Sequence, residues 1–246
     1  MISKSQIKFI RQLELKKYRK REGLFVAEGP KVVGDLLRHY QPAAIYATDE
    51  WIKIWGDSQL TPVSPDELRR ISFLQHPQQV LALFPIDIPL TAHHSPLTSL
   101  SLALDGVQDP GNLGTIIRIA DWFGIDTIYC SDDTADAYNP KTVQATMGSI
   151  ARVHIIYCDL AKLFETLPED YPVYGTLLDG EDIYQQPLTK EGIIVMGNEG
   201  NGISEAIRQK VNHKLLIPCF RQGDTAESLN VAIATAITCS EFRRRG

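Results

Sequence analysis

The chain has 246 residues, 43% hydrophobic and 22% charged, with a formal net charge of −5. These are the proportions of a soluble globular protein of one large or two small domains; no apolar run approaches a membrane span, and the average charge does not mark a nucleic-acid binder. Cys130, Cys158, Cys219 and Cys239 form no Cys-x-x-Cys pair and have no histidine at ligand spacing. They are expected to be reduced, mostly buried thiols of a cytoplasmic protein without a metal site.

The first segment departs from the average. Lys4, Lys8, Arg11, Lys16, Lys17, Arg19, Lys20 and Arg21 stand against only Glu14 and Glu22. Such a cluster suits the phosphates of a polyanion or, equally, a solvated helix face. Ile7, Ile10 and Leu13 predict an amphipathic helix, and the segment lacks the apolar core of a signal peptide. Leu24, Phe25 and Val26 read as a strand, after which Glu28-Gly29-Pro30 breaks into a helix with Val32, Val33, Leu36, Leu37 and Tyr40 on one side. Residues 44–47 form a second strand. Ser64 to Glu67 has the form of a capping box with proline at the first helical position, and residues 80–84 read as a buried strand. The alternation predicts a small α/β domain over residues 1–88.

Residues 85–97 hold three prolines and the adjacent His93 and His94, without periodicity. That composition predicts a linker at 89–98, and the two histidines make a poor metal or acid-base pair, because neighbours in an extended chain point apart. A second domain follows over 99–246. Strands are predicted over 100–104, 127–130, 153–157, 173–176, 193–196 and 214–217. Helices are predicted near 113–123, 142–150, 160–167, 204–211 and 228–243. This is a mostly parallel sheet covered on both faces, so ligands should bind beyond its carboxyl ends, at the loops after Leu104, Thr176, Met196 and Ile217.

The loop after Leu104 passes through Asp109-Pro-Gly111 into a helix with Leu113, Ile116, Ile117, Ala120 and Phe123 on its apolar stripe, Asn112 as prospective N-cap and Gly124 at a left-handed C-terminal position. Arg118 lies off that stripe, about two turns from Asn112, where its guanidinium either reaches back toward the loop or faces solvent. The loop after Met196, Gly197-Asn-Glu-Gly-Asn-Gly202, is neither a dinucleotide fingerprint nor a P-loop. Its glycines allow close main-chain approach, and Glu199 in their midst favours a cationic ligand over a pyrophosphate. After Ile217 and Pro218, Ser228 is a prospective cap of the last helix and Asn230 a polar first-turn residue.

Three stretches in this order, Asp109-Pro-Gly-Asn-Leu-Gly114 through Arg118, Val195 through Gly202, and Ile217-Pro218 through Ser228-Leu-Asn-Val231, resemble the SpoU-type (TrmH-like) RNA ribose 2′-O-methyltransferases of the SPOUT superfamily. More loosely, Phe25-Val-Ala-Glu-Gly29 resembles a ribosomal-protein-L30e-like RNA-binding domain. The resemblance implies an S-adenosyl-L-methionine-dependent enzyme whose α/β domain carries a C-terminal trefoil knot and which works as a homodimer. It implies a cofactor pocket at Gly197, Ile217 and Leu229, with Thr176, Leu177, Met196, Asn198 and Pro218 nearby. It also implies Arg118 as the group acting at the ribose hydroxyl, with Asn112, Glu199, Ser228 and Asn230 shaping the site. Ribosomal RNA is the favoured substrate, and the basic N-terminal segment supplies phosphate contacts.

Three rival readings remain at this level: a transfer-RNA methyltransferase, a non-catalytic RNA-binding or ribosome-assembly protein that keeps the fold, and a nucleotide-dependent oxidoreductase. The last is poor, because neither domain carries a dinucleotide fingerprint after its first strand. In the third motif, residues 221–227 lengthen the interval before Ser228, and Ala232 stands where a small polar residue is frequent.

Overall fold

The structure, a computed structural model, describes residues 2–56, 59–86, 98–224 and 226–245. The expected linker, with His93 and His94, lies almost wholly outside the described residues. By its contacts the chain divides into two units, Met1–Ile88 with Asp136–Ala151, and Pro89–Ala135 with Arg152–Gly246.

The first unit opens with helices α1 (Lys4–Gln12) and α2 (Lys16–Glu22). It continues through β1 (Leu24–Glu28), α3 (Pro30–Leu36), β2 (Ala44–Ala47), α4 (Asp49–Trp55), β3 (Thr61–Pro62), α5 (Pro65–Ile71) and β4 (Val80–Pro85). The sheet order is β1-β4-β2-β3, antiparallel except for the short β2–β3 pair. Ser64 and Glu67 form the expected capping box on α5, and the Glu67 carboxylate also accepts from Ile2 N at 2.8 Å, tying down the start of the chain. Ile10, Leu13, Val26, Leu68, Ile71 and Leu81 are buried in one core, each contributing roughly 1.5–3 kcal/mol of transfer free energy.

Arg19 corrects the picture of a wholly exposed basic cluster: it is 2% exposed. Its guanidinium donates to Leu13 O at 2.7 Å and Glu14 O at 2.6 Å, closing the α1–α2 corner, and pairs with Asp136 at 2.6 Å. Asp136 begins the excursion that joins this unit. Within the excursion, Tyr138 packs on Phe25 with ring centroids 4.9 Å apart, and α7 (Pro140–Ala145) follows.

The second unit contains β5 (Leu100–Asp105), α6 (Pro110–Trp122), β6 (Thr127–Cys130), β7 (His154–Tyr157), α8 (Leu160–Glu165), β8 (Val173–Asp182), β9 (Gly192–Gly197), α9 (Glu205–Arg208), β10 (His213–Leu216) and α10 (Val231–Arg245). All six strands pair in parallel, in the order β10-β8-β9-β5-β6-β7. The near-continuous apolar runs of β5 and β9 follow from burial on both faces: Leu102, Ala103, Leu104, Ile193, Ile194 and Val195 are fully buried. The chain reverses its direction of travel across the sheet at the β5–β9 pair. That is the switch point where such sheets open a crevice at their carboxyl ends.

Helices α6 and α10 lie side by side and run the same way. Asn230, just before α10, bonds to Asn112 near the start of α6 at 3.0 Å. At the other end Arg243 donates to Phe123 O and Gly124 O at 2.7 and 2.6 Å, satisfying carbonyls that α6 leaves open. Gly124 is left-handed, φ +61°, as its position after the apolar stripe requires.

Candidate active site

Strands β5 and β9 pair from Leu100↔Gly192 to Asp105↔Gly197, so the chain leaves both strands at the same level. The β9 exit is a tight turn in which Asn198 and Gly202 exchange main-chain hydrogen bonds of 2.9 and 3.0 Å. A β-carbon on Gly197 would stand 2.3 Å from the Gly202 carbonyl carbon, so glycine at 197 serves the turn's own backbone. The Asn198 side chain is likewise consumed. It donates to Gly106 O at 2.7 Å and accepts from Gly200 N and Asn201 N at 2.9 Å each. Asp105 Oδ2 accepts from Ser204 N at 2.7 Å and fastens the far end of the same turn.

Glu199 does not stand free to greet a cation. Its carboxylate points at the start of α6, accepting from Asn112 Nδ2 at 3.0 Å, Gln108 N at 3.2 Å and Asp109 N at 3.4 Å. Burial pushes its pKa up, but the Asn112 amide and the backbone N–H groups outweigh that and hold it below the ordinary carboxylate value. The positive end of α6 acts in the same direction.

Two caps differ from the expectation. Asp109 caps α6, its Oδ1 accepting from Asn112 N at 2.8 Å with Pro110 at the first helical position. Asn112 is therefore inside the first turn, and its side chain is released to bridge Glu199 and Asn230. At α10 the cap is Asn230, whose Oδ1 accepts from Ala232 N at 3.0 Å and Ile233 N at 3.3 Å. Ser228, the residue expected there, is exposed and makes no side-chain hydrogen bond among the described residues.

Glu199, Asn112 and Asn230 thus form one chain of hydrogen bonds joining the loops after β9, β5 and β10. Arg118 lies on the same helix as Asn112, exposed, with no hydrogen-bond or ion-pair partner among the described residues. Its guanidinium offers positive charge and a donor fork suited to a phosphate or a developing alkoxide.

The remaining candidates line the carboxyl ends of β8, β9 and β10. The β8–β10 ladder jumps from Lys214↔Gly175 to Leu215↔Glu181, and the β8–β9 ladder ends at Gly175↔Val195. Residues 176–180 therefore stand outside both ladders, and Gly180 passes so close to β10 that a β-carbon there would be 2.6 Å from Leu215. Thr176 Oγ1 donates to Val195 O at 3.2 Å, while Met196 is buried beneath. Leu177, Ile217 and Pro218 are partly exposed and Leu229 is 50% exposed. Main chain outside its ladder supplies donors and acceptors, and these apolar side chains supply walls, which fits an adenosyl cofactor held largely through backbone contacts.

No local sequence pattern marks the Gln108 and Asp109 N–H groups or the Asp105–Ser204 bond. Only the Asp109-Pro110 capping signature could have signalled that the α6 entrance lies earlier than Asn112. Among the described residues no group of three or more His, Cys, Asp or Glu is arranged to hold a metal, and no helix is long and apolar enough to cross a membrane.

A parallel sheet without a dinucleotide fingerprint, its switch-point loops joined by this amide–carboxylate chain to the helix that also presents the exposed Arg118, suits a group-transfer enzyme better than a dinucleotide oxidoreductase. Residues 99–240 match the SpoU rRNA Methylase family, and residues 4–82 match the MRM3-like substrate binding domain. The protein belongs to the SpoU rRNA methylase family. Over 97% of its length it is 32% identical to 96% of a Bacillus subtilis protein named 23S rRNA (guanosine(2553)-2′-O)-methyltransferase RlmP. A solved structure from Porphyromonas gingivalis, described as belonging to the TrmH family, superposes with a TM-score of 0.90 at 40% identity, covering 100% of both chains. An AdoMet-bound rRNA methyltransferase from Sinorhizobium meliloti does so with a TM-score of 0.86 at 31% identity, covering 99% of this chain and 97% of that one.

Proposed function

We propose that the protein methylates a ribose 2′-hydroxyl of 23S ribosomal RNA, using S-adenosyl-L-methionine, and that it does so as a cytoplasmic homodimer. The observation that carries this is the Glu199–Asn112–Asn230 chain, which gathers the three motif loops around one end of the sheet, with Arg118 exposed and unpaired among the described residues on the helix that holds Asn112. The full-length likeness to a relative named for 23S rRNA supports ribosomal over transfer RNA.

The cofactor, when bound, supplies an electrophilic methyl group; residues 176–180, Gly197, Asn198, Ile217, Pro218 and Leu229 would hold it, chiefly by main chain and apolar contact. Arg118 pairs with the phosphate next to the target ribose, orients the hydroxyl for in-line attack and stabilises charge developing on its oxygen. Glu199 is a positioning group, since three N–H donors already occupy its carboxylate. The hydroxyl proton leaves to solvent. Residues 1–88 serve as the L30e-like RNA-binding domain, 89–98 as linker and 99–246 as the methyltransferase domain with its C-terminal knot. Support for the dimer comes from apolar side chains left in water on α6 and α10, Trp122 at 84% and Ile233 at 53% exposure.

The test is methyl transfer from labelled S-adenosylmethionine to RNA from a strain lacking the gene, with the product sized and digested to nucleosides. Label in a 2′-O-methyl nucleoside of the 23S fraction is expected. Label in transfer RNA, in a base, or none at all in the presence of a folded, cofactor-binding protein refutes the proposal.

A further inference from the structure

The first unit contains an open cleft of about 480 Å³ that none of the motif residues touches. Thr48 and Glu50 line it from the start of α4, Arg69 from α5, and Pro77, Gln78 and Gln79 from the segment entering β4. Its size is that of a site for a small ligand.

The backbone beside it is held in an uncommon form. Gln79 has φ +50°, in the left-handed region that glycine occupies freely and glutamine does not. Val80 N reaches back to Gln78 O at 2.5 Å, closing a three-residue turn around Gln79, and Thr48 N donates to Gln79 O at 2.8 Å, pinning it. Turns of this kind are strained, and the strain is held here by strand pairing on either side. Two consecutive glutamines are thereby held at the cleft.

The lining selects a chemical class. An anion would meet the Glu50 carboxylate, and Arg69 is already paired with Asp66 at 2.6 Å. The carboxamides of Gln78 and Gln79 provide donors and acceptors, and Pro77 provides an apolar surface. A neutral planar heterocycle with a hydrogen-bonding edge suits this set, as amide and carboxylate groups pair with base edges. We infer that the cleft receives one unstacked nucleobase of the substrate RNA, read by Gln78 and Gln79, with Glu50 favouring an edge that carries N–H donors. This rests on the RNA substrate proposed above and lies within the stretch matched as a substrate-binding domain.

The test uses the full-length protein and a 23S rRNA transcript. In the double variant Gln78→Ala/Gln79→Gly, glycine relieves the strained turn while both amides are lost. The melting temperature should hold or rise, kcat and cofactor affinity should stay unchanged, and KM for RNA should rise about tenfold or more, as when a site built to pair a polar edge loses its groups. A KM within about twofold of wild type in a folded double variant overturns the inference. A second readout needs no methyl transfer: photo-cross-linking of transcript substituted with 4-thiouridine or 6-thioguanosine should label the peptide that carries Gln78 and Gln79. No such label on a protein that does methylate the transcript would sink the cleft and leave the proposed activity standing. Label on a protein that transfers no methyl group would do the reverse.

Discussion

Replacing Arg118 by alanine should stop turnover while leaving the protein folded and able to bind cofactor. The side chain is exposed and unpartnered among the described residues, so its removal breaks no bond and opens no cavity. Alanine is also the better helix former. The stability change should therefore stay within about 0.5 kcal/mol, and the melting temperature within about 2 °C. Catalysis stands differently. Removing a donor aimed at developing negative charge costs typically about 3–4 kcal/mol of transition-state stabilisation, a fall of roughly 100- to 1,000-fold in rate. Single-turnover transfer from labelled S-adenosylmethionine to 23S RNA measures that fall, and calorimetry measures cofactor affinity. Arg118→Lys, which keeps the charge but loses the fork, should fall between the two. Turnover of Arg118→Ala within about tenfold of wild type would refute the assignment, as would a loss traceable to weaker cofactor binding or to unfolding.

Glu199 makes a pH prediction of definite sign. A carboxylate whose folded pKa is depressed adds stability that is present above its unfolded value, near 4.5, and is lost as pH falls through the folded value. The stability difference between wild type and Glu199→Gln should be steady above about pH 5.5 and shrink on acidification below the unfolded value; a difference that grows in acid contradicts the network. Arg19→Ala leaves Asp136 and two carbonyls of the α1–α2 corner without their donor. Denaturant unfolding should show a loss of about 3–5 kcal/mol, with little rescue by lysine, and a loss below about 1 kcal/mol would mean the pair is idle. Burial pushes the Cys130 thiol well up and Cys239 up to about 12, while Cys158, pushed up to about 11 by burial and the nearby Asp159 and Asp132, is only partly covered. Native protein should thus show one promptly reactive thiol, Cys219, in a titration with Ellman's reagent, the others following on unfolding.

What the sequence made legible was chiefly what is local or buried. Strands β5, β6 and β9 read as apolar runs because both faces of the sheet are covered, and β6 occupies the predicted residues 127–130. The capping box at Ser64 and Glu67 is a four-residue signal and was readable as such. Helix α4 and strand β3 went unread: α4 buries only Trp51, and β3 has two residues. Pro110 and Gly111 look like loop and so draw the expected cap to Asn112, although proline at the first turn behind Asp109 is a sound helix start. Arg19 was hidden in a charge run, since its partner Asp136 lies 117 residues away. The extension of β8 to Asp182 depends on Gly180 meeting the Leu215 backbone, a contact between strands that no local pattern announces.

The motif residues were legible one by one, but their arrangement was not, and the arrangement is what gives each its role. Asn112 lies 87 residues from Glu199 and 118 from Asn230. It meets both because β5 pairs with β9 and because α6 and α10 run in parallel, fastened at one end by Asn230 and at the other by Arg243. Arg118 sits on α6 between these fastenings. Its position along the helix is therefore fixed without any bond to its own side chain among the described residues, and its guanidinium stays available to a ligand. A base or a cation trap would need Glu199 to be free; a rigid frame for an exposed arginine needs Glu199 to be occupied, and the three N–H donors on its carboxylate occupy it.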